Sequence, residues 1–116
     1  MAYDHELADR VRALLADEPD VTEKKMFGGL GFLIAGNMAV AASGQGGLLV
    51  RIEPALAGEL IATTRAQPME MRGRPIRGWL CVPDVDVRTN RQLAGWIALG
   101  TDAASNAPHR RTTRRP

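Results

Sequence analysis

Cysteine is nearly absent from this 116-residue chain, which has Cys81 alone. A single thiol excludes an internal disulfide framework and leaves no cysteine pair for a zinc site. Histidine is as sparse: His5 and His109 lie far apart, and neither is at metal-ligand spacing from the other or from Cys81. No metal or cofactor is expected. Aromatic residues make up only 4% of the chain, so the core must be built from Leu, Val, Ile, Ala and Met, with Phe27, Phe32, Trp79 and Trp96 as the large anchors. No apolar run approaches the roughly 20 residues of a membrane span. The N-terminus also lacks a cationic segment leading into an apolar stretch, so a cytoplasmic protein is expected.

What is present is the composition of a folded protein. Hydrophobic residues account for 45% and charged residues for 24%, too apolar for general disorder. The length suits one domain with one core. The formal charge of +2 hides an asymmetry, because Arg110, Arg111, Arg114 and Arg115 all fall in the last seven residues. Removing those four from the 15 Lys and Arg leaves 11 basic against 13 acidic residues, so the basic character belongs to the tail.

Asp4 can cap a helix in which Leu7, Val11, Leu14 and Leu15 form one apolar stripe, predicted over residues 4–17. Pro19 closes it. Four extended runs follow, over 23–27, 30–35, 38–43 and 48–52, with Gly36-Asn37 placed for a tight primed turn and Ser43 to Gly47 for a looser reversal. Pro54 opens a second helix carrying Leu56, Leu60 and Ile61 on one face through about Thr64. Met69 and Met71 alternate with Glu70 and Arg72, and Trp79 to Val82 is a further apolar run, so two strands bracket the Arg-Gly-Arg-Pro turn. Leu93, Trp96 and Ile97 mark a closing helix over 89–105, which Gly100 weakens without ending. The order is α-β-β-β-β-α-β-β-α. This predicts an α+β fold, a twisted antiparallel sheet of about six strands with flanking helices, spanning 1–105 and followed by a flexible arginine-rich tail over 106–116.

Met26-Phe27-Gly28-Gly29-Leu30-Gly31 and, some forty residues on, Pro68-Met69 with Gly78-Trp79 and Val82-Pro83 resemble the N-terminal domain of the TfoX/Sxy proteins, regulators associated with bacterial competence. Gly36 before Met38 is similar to that family's hairpin. Leu49 and Arg51 resemble its next strand, with arginine where lysine is usual, and Leu93 and Trp96 its closing helix. The similarity covers about residues 7–104. Full-length competence regulators carry a second, C-terminal domain, so a stand-alone N-terminal-like domain is expected. The resemblance implies a non-enzymatic protein acting through protein-protein interaction or self-association, in transcriptional or competence-related regulation.

Within the domain, Arg72, Arg74, Arg77 and Trp79 are the candidate partner-binding residues, because a proline-stiffened hairpin would hold several cations near one another for an acidic partner. The alternative is a solvated turn that opposes aggregation. Arg110, Arg111, Arg114 and Arg115 are the candidate nucleic-acid contacts, a salt-sensitive arm with no groove-reading helix beside it, or else a solubilising extension. Gly28, Gly29 and Gly31 offer backbone N–H groups to a small ligand. They lack the Gly-Lys-Ser/Thr ending of a phosphate loop, and a structural turn is the favoured reading. Cys81, between Leu80 and Val82, reads as packing rather than nucleophile. No residue set supports catalysis.

Overall fold

The computed structural model describes residues 4–26, 28–44, 46–71 and 73–106. Its elements run α1 (His5–Leu14), β1 (Val21–Met26), β2 (Gly29–Ile34), β3 (Asn37–Ala42), β4 (Leu48–Arg51), α2 (Pro54–Thr63), β5 (Gln67–Met71), β6 (Arg74–Val82) and α3 (Asn90–Asn106), with a 3-10 turn at Asp84–Asp86 before α3. The six strands form one antiparallel sheet in the order β1-β2-β3-β4-β6-β5. The predicted α+β class, strand number and element order all hold.

The helices form where local chemistry and apolar spacing agree. Asp4 caps α1 by accepting from the Leu7 N–H at 3.1 Å, and Leu7, Ala8 and Val11 are buried on the sheet side. The helix ends at Leu14, three residues before the predicted boundary, and Leu15 still packs into the core from the following turn. For α3, Thr89 and Gln92 form a reciprocal cap: each accepts from the other's backbone N–H at 3.1 Å. Leu93, Trp96, Ile97, Gly100 and Ala104 then bury one stripe at helical spacing. Gly100 is more than a weak helix residue. A Cβ there would lie 2.5 Å from the Ala39 carbonyl oxygen, so its absence lets α3 seat directly on β3.

Side chains alternate across the sheet, and one face takes nearly all the packing. Leu30, Phe32 and Ile34 of β2, Val40 and Ala42 of β3, Leu48 and Val50 of β4, and Leu80 and Val82 of β6 meet the buried stripes of α1 and α3 in one core cluster. Of the expected anchors, Phe32 and Trp96 lie in this cluster. Trp79 does not; it is half-buried on the other face. Phe27 lies outside the described residues.

Two local expectations shift. The β2–β3 turn uses Ala35 and Gly36 at φ 51° and 88°, one residue earlier than Gly36-Asn37, because Asn37 pairs with Ile34 and its amide donates to the Ala104 carbonyl at 3.3 Å. In α2, Ala57 and Leu60 reach the core, while Leu56 and Ile61 project outward at 39% and 38% exposure. The helix is apolar on several sides, and only one of them faces protein.

Candidate functional site on the open sheet face

The face of the sheet turned away from the helices is the least expected surface of the molecule. Its identity follows from the pairing register. Glu23 reaches α1, where its carboxylate accepts from Arg12 at 2.6 and 3.0 Å, so Thr22, Lys24 and Met26 of β1 must point the other way. Their partners across β2 are Leu33, Gly31 and Gly29. Continuing across the sheet, Gly31 pairs with Ala41, Ala41 with Leu49, Leu49 with Cys81 and Cys81 with Gln67. Ala41 and Leu49 are buried yet stand outside the core cluster, shielded from this side by neighbouring strand residues.

A shallow depression runs along this face, lined by Met26, Ala41, Leu49, Met69, Glu70 and Cys81 together with the Ser43–Gly44 loop. No helix among the described residues contributes to it. On the same face a Cβ on Gly31 would stand 2.9 Å from the Met38 sulfur and 3.4 Å from that of Met26, so two thioethers lean in over a bare backbone. Beside them the Arg51 guanidinium lies 5.6 Å from the centroid of the Trp79 ring and donates to the Met38 carbonyl at 3.2 Å. Three methionines, a leucine, a tryptophan and an arginine thus share one side of the sheet. That composition suits protein contact, because Met adapts its shape and Trp and Arg are the residues that most often anchor interfaces.

Cys81 is exposed on this face, and burial by its neighbours, followed by the charge of Glu70, pushes its thiol pKa upward. The thiol is held protonated, the reverse of what a nucleophile needs. Among the described residues no three His, Cys, Asp or Glu side chains are grouped to hold a metal ion, and no helix is long and apolar enough to cross a membrane.

The glycine motif has a structural job. A Cβ on Gly29 would collide with the Ala42 carbonyl oxygen, and one on Gly44 would fall 2.6 Å from that of Gly28. Two turns pack backbone against backbone there. In the second of them the Gly47 N–H already donates to Asp84 Oδ1 at 2.8 Å, so an internal carboxylate occupies the place an anion would take.

Of the hairpin candidates, Arg74 is exposed at the start of β6 and Trp79 belongs to the open face. Arg72, the side chain of Arg77 and all four tail arginines, Arg110, Arg111, Arg114 and Arg115, lie outside the described residues. Residue-by-residue reading missed Met26, Met38, Leu49, Arg51 and Met69 as a set. Alternation in β1 assigns Met26 to the face opposite Lys25, but counted from Val40 it would put Met38 in the core; Met38 reaches the open face only because the β2–β3 register shifts between Phe32 and Leu33.

Fold and site together define a small α+β domain whose described helices lie on one side of the sheet, leaving the other side open. The TfoX N-terminal domain family model matches residues 13–104, about four-fifths of the sequence, and the chain belongs to that family. The family is not a known catalytic one. No curated protein and no solved structure matches the chain.

Proposed function

We propose that this TfoX N-terminal domain is a non-enzymatic interaction module that binds protein through the open face of its sheet. The observation that carries the reading is the group formed by Met26, Met38, Leu49, Met69 and Trp79 on a sheet face that no described helix covers. Apolar surface of this kind is costly to leave in water and is used where a partner removes it. The sheet edges are less suited to the task, since β1 exposes Glu23, Lys24 and Lys25 and β5 carries Pro68, features that oppose strand addition. Trp79 of the second hairpin belongs to the same surface, and the hairpin arginines would supply cations for acidic groups of the partner. Regulation of transcription, including competence-related regulation, is the setting that kinship with the TfoX proteins suggests.

Affinity capture from cytosol, comparing the native chain with Ala41→Lys, tests the reading. A specific protein retained by the first and lost by the second is expected. Capture unaffected by the lysine would move the interaction off this face. A second reading rests on the concentration of arginine at positions 110, 111, 114 and 115, which suits a non-specific nucleic-acid arm. Its signature is nucleic-acid binding that weakens with salt and disappears when the chain is ended at Pro108.

A further inference from the structure

The open face is complementary to itself. One continuous row crosses all six strands: Lys24, Gly31, Ala41, Leu49, Cys81, Gln67. Of its four central members, the smaller two, Gly31 and Ala41, lie on β2 and β3, and the larger two, Leu49 and Cys81, on β4 and β6. A two-fold axis parallel to the strands and passing between β3 and β4 lays this row over its own reverse. Ala41 then faces Leu49 of the second copy, Gly31 faces Cys81 and Lys24 faces Gln67, so at the centre each of the two small residues receives a larger one. Two sheets packed at roughly 10 Å need this interdigitation to fill the space between them. The neighbouring row obeys the same operation, since Leu33 and Met38 pair across β2 and β3 while Arg51 and Trp79 pair across β4 and β6. Leu33 comes to face Trp79, and Met38 comes to face Arg51.

Charge selects the direction of the axis. With the axis along the strands, β1 of one copy, bearing Lys24, crosses over β5 of the other, bearing Glu70 beside Cys81. An axis across the strands along this row would instead set Lys24 against Lys24, like charges that disfavour it. A closed, isologous pair is also the commonest form of protein self-assembly.

We infer that the occupant of the open face is a second copy of this chain, in a sheet-to-sheet homodimer with Ala41 and Leu49 at its centre and reciprocal Lys24–Glu70 contacts at its margins. The inference rests on the proposed use of the open face for protein binding. Analytical ultracentrifugation over a wide concentration range tests it, on the native chain, Ala41→Lys, Lys24→Glu, Glu70→Lys and the double variant Lys24→Glu/Glu70→Lys. The native chain is expected to sediment as a dimer. Ala41→Lys should weaken association by at least about 100-fold, because it places an unpaired charge in the apolar centre. Each single charge reversal should weaken it roughly tenfold, and the double variant should recover most of that loss. The two charge positions are surface residues, so their result stands even if the lysine at 41 disturbs folding. A native chain that stays monomeric, an Ala41→Lys chain that dimerises like the native one, or a double variant no better than the singles would each overturn the homodimer. If the native chain is monomeric yet captures a different protein in an Ala41-dependent way, self-association fails and the interaction face stands. If it is monomeric and captures nothing, both fall.

Discussion

The two faces of the sheet are built from the same strands and carry different burdens. On the helix side, Phe32, Val40, Leu48, Val50 and Leu80 are essentially sealed from water by α1 and α3, and the fold depends on them. On the open side, Leu33, Met38 and Trp79 are only half-buried, and nothing in the described domain completes their packing. Burial stabilises in proportion to the apolar area removed from water, so the first face fixes the structure and the second leaves free energy to be gained on association. Neighbouring residues of one strand therefore belong to different physical problems.

The largest effects should come from separating those problems. Phe32→Ala should cost about 3–5 kcal/mol in chemical denaturation, as truncation of a sealed core aromatic does, whereas Leu33→Ala, one residue on, should cost about 1 kcal/mol or less. A similar loss at both positions would erase the distinction. Next in size is the contrast between glycines. Gly29→Ala forces a Cβ against the Ala42 carbonyl and should lose about 2–4 kcal/mol. Gly58→Ala, in α2 with nothing near its Cβ position, should gain about 0.5–1 kcal/mol from improved helix propensity. Thermal unfolding of the two variants would display the opposite signs.

The smallest effect is electrostatic and belongs to the helix side. Arg12 hydrogen-bonds Glu23 and lowers its pKa below the usual carboxylate value. A depressed folded-state pKa gives stability that is present above the unfolded value and is lost as pH falls through the folded one. Glu23→Gln should therefore lower stability at neutral pH by about 1 kcal/mol or less, given the exposure of the pair, with the gap to the native chain closing as the pH falls below the ordinary carboxylate range. A gap that stayed constant down to strong acid would mean that the ion pair contributes nothing.

Much of this architecture was legible in the sequence because it depends on local chemistry. Asp4, Pro54 and the spacing of Leu93, Trp96 and Ile97 identify three helices, and the short apolar runs between turn residues identify six strands. The Ala35-Gly36 turn was displaced by one residue because a tertiary bond from Asn37 to the end of α3, rather than turn preference, decides the register. The role of Gly100 was hidden for the same reason, since only the approach of α3 to β3 gives it meaning. The open face was the hardest to foresee. Its residues come one or two from each strand, and β2, β3 and β4 are nearly continuous apolar runs, the pattern of strands covered on both faces, so the open side emerges only from the positions of α1, α2 and α3.

Ala41 and Ala42 are consecutive, both buried, and point to opposite faces of β3. The most direct measurement is the unfolding free energy of Ala41→Lys and Ala42→Lys by urea titration in dilute solution. With one helix-covered face holding the fold, Ala42→Lys should lose at least about 3 kcal/mol or fail to fold. Ala41→Lys should keep a cooperative transition within about 1 kcal/mol of the native chain, its ammonium reaching water across the open face. Equal destabilisation by the two lysines would contradict the division of the sheet into a structural face and an open face.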